Sequence, residues 1–184
     1  MIIEAIIIGL ILSKILGGKY ENILDFKLKG IKLLILGVFI SLFLYLFTSI
    51  DLGYLTKIAI DYYVFFHIFS LLFIIAGLLF NYKNLGIVTI AAGLFLNLIP
   101  IILNGKMPVS AKALAEVGNF RLIDIISSGR SLSHGIFMEP KAYFLSDILP
   151  LKPPYIFPKV ISLGDIVITL GLILAIVLIS RRKI

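Results

Sequence analysis

What most limits this chain is a series of apolar runs long enough to cross a bilayer. Residues 33–50 and 85–103 contain no charged side chain, and residues 160–180 contain only Asp165. Residues 58–80 are as apolar apart from Asp61 and His67, and a shorter first run, 2–16, carries Glu4 and Lys14. A spanning helix needs roughly 20 apolar residues for a hydrocarbon core of about 30 Å. Lipid offers the backbone no hydrogen-bond partners, so these runs are expected to be helical. Composition agrees: 60% of the 184 residues are hydrophobic and 15% charged, where a soluble domain is nearer half apolar and a quarter charged. A core of this size cannot enclose that much apolar surface. The expectation is an all-α fold: a polytopic transmembrane bundle of about five helices, one membrane domain over 1–184, with spans 2–16, 33–50, 58–80, 85–103 and 160–180.

Lys and Arg set the orientation. Lys19, Lys27, Lys29 and Lys32 crowd one short connection, Lys83 sits in a tight turn, and Arg181-Arg182-Lys183 close the chain. The positive-inside rule puts these segments in the cytoplasm. The N-terminus and the long loop 104–159 then lie outside. That loop has seven basic residues, but long segments translocate largely regardless of charge. The expected location is the cytoplasmic membrane, as a multi-pass protein. The net charge of +7 is spread along loops, not gathered into a phosphate-binding stripe, so nucleic acid is not an expected partner. Without cysteine, thiolate metal sites and disulfides are excluded, and two histidines do not make a histidine-rich site. No cofactor or metal is expected. The first run has its positive charges after it and no visible cleavage site, so it is read as a helix that stays.

The long loop carries local structure of its own. Asn104-Gly105 is a turn signal followed by Met107-Pro108. Ser110 can cap a helix over 111–117, with Gly118 ending it. Residues 120–126 are apolar enough to lie on the membrane surface or on top of the bundle. Pro150, Pro153, Pro154 and Pro158 forbid a long helix before the last span.

The acids are the most informative residues. In this topology Glu4, Asp51, Asp61 and Asp165 all fall near the outer boundary. Ionisable groups in membranes are costly and mark either a polar site or a helix end reaching the headgroups. Ser162, Asp165 and Thr169 share one helical face. Ser162 and Asp165 also fit a capping box, with Ile161 and Ile166 as the staple around it, and the two roles are compatible. Asp147 precedes Asp165 in an apolar stretch of loop, which would raise its pKa. Together the two aspartates could share a proton and activate water; alone, Asp147 would be a loop-capping residue. Asn97 lies on a face with Gly86 and Gly93, where small residues and an amide join helices. His134 is the loop histidine, available as acid, base or ligand. His67 and Asp61 fall on different faces and are not paired.

Several of these residues also carry a resemblance. Asn104-Gly105-Lys106-Met107-Pro108-Val109-Ser110, His134, Leu145-Ser146-Asp147-Ile148, and Ser162-Leu163-Gly164-Asp165-Ile166 with Gly171 resemble a family of uncharacterised bacterial membrane proteins, which implies an inner-membrane protein and no particular activity. Residues 157–165 also resemble the segment of lipoprotein signal peptidase that ends in a catalytic aspartate. That likeness implies an aspartic hydrolase with Asp165 in the catalytic place and Asp147 as its partner. The chain departs from it in Leu96-Asn97, which keeps only the Asn of a Gly-Asn motif, and in having no acid near Pro108 or Val109.

Two functions follow. The first is an outer-face site for a lipid, peptide or partner membrane protein, drawing on Asn97, Asn104, Met107, Ser110, His134 and Ser162. The second is a membrane aspartyl hydrolase using Asp147 and Asp165. A transporter is disfavoured, since no broken-helix pair, inverted repeat or mid-membrane charge is evident.

Overall fold

The computed structural model describes residues 1–182; Lys183 of the basic C-terminus lies outside them. Helices dominate. α1 (Ile2–Ile15) and a short α2 (Glu21–Leu24) precede α3 (Ile31–Ser49). α4 (Tyr54–Asp61), α5 (Tyr63–Leu79) and α6 (Leu85–Asn104) follow, and α9 (Leu163–Ser180) closes the bundle. Between α6 and α9 lie strands β1 (Met107–Pro108) and β2 (His134–Gly135), helices α7 (Ala111–Glu116) and α8 (Phe120–Ser127), and strands β3 (Leu149–Leu151) and β4 (Lys159–Ile161).

Among the described residues, α3, α6 and α9 are each long and apolar enough to cross a membrane. The run 58–80, expected as one span, is instead the pair α4 and α5, bent by 68°. Asp61 and the tyrosines beside it mark the break. α4 carries Lys57 and ends at Asp61, whereas α5 has no Asp, Glu, Lys or Arg. Counted as one, the pair gives a fourth candidate span. α1 has 14 residues, roughly 21 Å at 1.5 Å per residue, short of a hydrocarbon core. The run expected to begin at 160 starts as β4, because Ser162 caps α9 and Leu163 is its first helical residue.

The bundle is a chain of neighbours: α3 packs on α5, α5 on α6, α6 on α9, and α9 on α1. The α6–α9 seam is the tightest. A side chain on Gly86 would put its Cβ 2.1 Å from the Ala175 backbone nitrogen, and one on Gly93 would come 2.7 Å from the Gly164 carbonyl. Small residues on both helices let the backbones touch, which is how apolar helices associate in lipid. The outer faces of α3, α6 and α9 carry large exposed apolar side chains such as Ile35, Phe39, Phe95 and Leu170. An aqueous solvent would penalise that display, and lipid accommodates it.

The two ends of the bundle differ. At one, Lys19 N–H donates to the Ser180 carbonyl and Asn22 to the carbonyls of Ser180 and Arg182. Lys29 and Asn81 exchange two hydrogen bonds of 2.9 Å at the same end. The short basic segments thus gather there. The folded loop sits over the other end, where Tyr155 hydrogen-bonds Glu4 of α1.

Within the loop, Ser110 caps α7 by accepting from Ala113 N–H, and Gly118, at φ +74°, follows it. The capped helix and the proline-rich non-helical stretch lie where the sequence placed them, and the apolar stretch after Gly118 forms a second short helix, α8. The four strands and their pairing were not expected.

Candidate functional site

The segment 107–110 leaves the end of α6 and runs as an extended strand. One edge takes the chain around His134: Met107 N–H donates to the Ser133 carbonyl and Val109 N–H to the Gly135 carbonyl, both at 2.9 Å. The other edge takes Asp147, whose N–H donates to the Pro108 carbonyl at 3.0 Å and whose carbonyl accepts from Ser110 N–H at 2.9 Å. Pro108 fits because it is asked only for its carbonyl. His134 and Asp147, distant in sequence, therefore flank one strand, with His134 Nε2 3.6 Å from Asp147 Oδ2. That is beyond hydrogen-bond range. The other ring nitrogen, Nδ1, is 2.7 Å from the Ser133 hydroxyl.

The β3–β4 hairpin then brings Asp147 towards Asp165. Leu149 pairs with Ile161 and Leu151 with Lys159 in antiparallel register. Carried on by two residues, that register sets Asp147 across from Leu163, at the first turn of α9. Asp165 lies in the same turn. The Asp165 carboxylate accepts from Asn97 Nδ2 at 3.0 Å and from Ser162 N–H at 3.2 Å. Ser162 Oγ accepts from Asp165 N–H at 3.0 Å and donates to Asn97 Oδ1 at 2.7 Å. The capping box is complete, and Asn97 of α6 closes it into a ring. No side chain fits on Gly164, where a Cβ would sit 1.9 Å from Asn97 Oδ1. Each carboxylate oxygen keeps a lone pair free, so the ring fixes Asp165 without exhausting it.

Burial, reinforced by the negative charge of Asp165, pushes the Asp147 carboxyl up from 3.8 to about 7. Its side chain is 14% exposed. Burial lowers the His134 pKa, while Asp165 acts the other way. Near neutrality Asp147 is thus available as a proton donor, with the His134 imidazole alongside.

The sequence-derived residues separate into two groups. Asn97, His134, Asp147, Ser162 and Asp165 come together at this end of the bundle. Asn104, Met107 and Ser110 serve the scaffold. Asn104 exchanges hydrogen bonds of 2.9 Å with Lys141, Met107 is 6% exposed within the strand, and Ser110 caps α7. Thr169 turns away and donates to the Asp165 carbonyl within α9. The residue that sequence reasoning passed over is Ser133, which holds the His134 ring. Its place beside the loop histidine was the available signal. Two shallow depressions lie in the folded loop, and neither aspartate lines them. One, of about 410 Å³, is lined by Ile136, Phe137, Met138 and Tyr143 among others; the second, of about 330 Å³, includes His134. Among the described residues no group of three or more His, Asp or Glu side chains is arranged to hold a metal ion.

Apolar helices displayed to lipid, with two aspartates and a histidine folded over their ends, define a helical membrane protein with a polar site at one end of its bundle. The chain belongs to the family of unknown function DUF5317, whose family model matches residues 25–177. That span includes every residue of the site. No curated protein and no solved structure matches the chain.

Proposed function

We propose that this is a multi-pass protein of the bacterial cytoplasmic membrane, N-terminus out and C-terminus in, whose outer-face site binds the polar end of a membrane-anchored lipid or peptide. The bent α4–α5 pair counts as one span and α1 as a short fifth. The gathering of short basic segments at the end opposite the loop supports that orientation. The observation that supports the binding reading is the gathering of Asn97, His134, Asp147 and Asp165 at the loop end of the bundle, near an apolar depression lined by Ser146 and Ile148 on either side of Asp147. Polar side chains next to apolar walls suit an amphiphile whose head donates hydrogen bonds.

Two experiments test this. The chain has no cysteine, so Glu139→Cys gives a single thiol in the loop. A membrane-impermeant maleimide should label it in intact cells, and labelling only after lysis refutes the orientation. A photoreactive residue replacing Met138, which is fully exposed beside the depression, should capture a lipid or peptide. Capture should fall in Asp147→Ala and Asp165→Ala variants that still fold. Equal capture in all three proteins removes the acids from the site.

A second reading, a membrane aspartyl hydrolase, is favoured by one specific feature: burial and the influence of Asp165 raise the Asp147 carboxyl to about 7. Such a pair supplies a general acid and a general base near neutral pH. Asp165 would accept a proton from water while Asp147 donates one to the leaving group. Turnover of a lipopeptide in micelles, abolished by Asp147→Asn and by Asp165→Asn in variants that still fold, is the expected result. Undiminished turnover in either variant excludes it.

A further inference from the structure

We infer that the end of the bundle opposite the acids holds an anion site for a phosphate group, of the kind carried by an acidic lipid headgroup. A cavity of about 430 Å³ opens there, with Lys27, Lys29, Lys83 and Arg182 among its lining residues and no acidic side chain. Its lining also includes the aromatic ring of Phe26 and the buried Asn81. The four cations come from three separate parts of the chain and are held together by specific contacts. Asn81 is 7% exposed and brackets the Lys29 backbone, accepting from its N–H and donating to its carbonyl at 2.9 Å. Gly30 follows at φ +71°, where a Cβ would lie 2.4 Å from the Gly77 carbonyl. That contact lets the connection lie flat on α5. Asn22 ties the same connection to the Arg182 carbonyl at 2.9 Å.

Among the described residues, none of these four cations takes part in an ion pair. Four like charges around one cavity repel one another unless an anion sits among them. The site lies where the apolar lengths of α5, α6 and α9 end, at the depth of phospholipid phosphates. Basic pockets between helices at that level suit lipid headgroups. Phe26 and Ile179 in the lining suit the start of an acyl chain. This site is independent of the acid site and does not depend on what binds there.

The test uses the full chain purified in a neutral detergent. Dihexanoyl phosphatidylglycerol, dihexanoyl phosphatidylcholine and sn-glycerol 3-phosphate are titrated separately, with binding read by native mass spectrometry. Phosphatidylglycerol should bind more tightly than phosphatidylcholine. The triple variant Lys29→Gln, Lys83→Gln, Arg182→Gln should lose about fivefold per neutralised cation, on the order of a hundredfold together. Lys57→Gln with Lys112→Gln, at the other end, should leave binding unchanged. The exposed Lys83→Gln change alone should give the single fivefold step even where the triple variant folds poorly. Glycerol phosphate binding as tightly as the lipid would assign the site to a soluble phosphate ester, and weaker binding assigns it to the membrane. Equal binding of the two lipids, or undiminished phosphatidylglycerol binding by the Lys83→Gln and triple variants, overturns the site.

Discussion

Asp147 makes the stability of this protein depend on pH in a direction opposite to that of most paired carboxylates. Its carboxyl is pushed from 3.8 to about 7 by burial and by Asp165, so the folded chain holds this proton more tightly than the unfolded chain does. The contribution is present in full below pH 4 and is lost as pH rises through about 7. A shift of that size corresponds to about 4 kcal/mol, at 1.36 kcal/mol per pH unit. His134 acts in the other sense. Burial lowers its pKa, so its contribution grows as pH rises through its usual range. The readout is therefore the difference between wild type and Asp147→Asn, in which His134 largely cancels. Thermal melts followed by circular dichroism in one detergent, at steps from pH 4 to pH 8.5, provide it. The variant should gain on wild type by about 4 kcal/mol across the series, mostly between pH 4 and 7. Parallel curves, or a wild type that gains on the variant as pH rises, would refute the burial argument for Asp147.

Other perturbations have separable outcomes. Asp165→Asn should move the wild-type pH transition part-way towards the usual carboxylate range, because burial remains the larger cause; melts over the same series check it. Ser162→Ala removes the cap of α9 and the bond to Asn97, and should cost about 1–2 kcal/mol in a denaturation titration. Gly86→Ala places a Cβ 2.1 Å from the Ala175 nitrogen and should cost about 3 kcal/mol in the same titration. Gly53→Ala meets no neighbour within 4 Å, but its φ of +63° with ψ of −116° lies outside the regions open to an L side chain, so a loss of about 3 kcal/mol is expected.

The sequence displayed the bundle because lipid imposes a simple rule on apolar length, and α3, α6 and α9 obey it. It displayed the capping box because Ser162 and Asp165 are three residues apart and their interaction is local. The small-residue face of α6 was legible for the same reason: Gly86, Gly93 and Asn97 repeat within one helix. What it did not display is pairing at a distance. Nothing in Met107-Pro108-Val109-Ser110 announces that this segment has His134 on one edge and Asp147 on the other, because strand partners are chosen by the folded loop. The break at Tyr62 was hidden as well. Hydropathy averages over a window and so reads through the 68° bend. The capping role of Ser110 was legible, but its part in holding Asp147 runs through its backbone N–H, which every residue but proline offers.

The strand between α6 and α7 has a consequence for what this chain can tolerate. Its backbone groups face His134 and Asp147 by strict alternation, and it is tied at Asn104 on one side and at the cap of α7 on the other. Exchanging a side chain there alters packing. Adding or removing one residue would present each edge to the wrong partner and pull the histidine and the aspartate apart together. The length of that short connection, more than the identity of its side chains, is what a working copy has to keep.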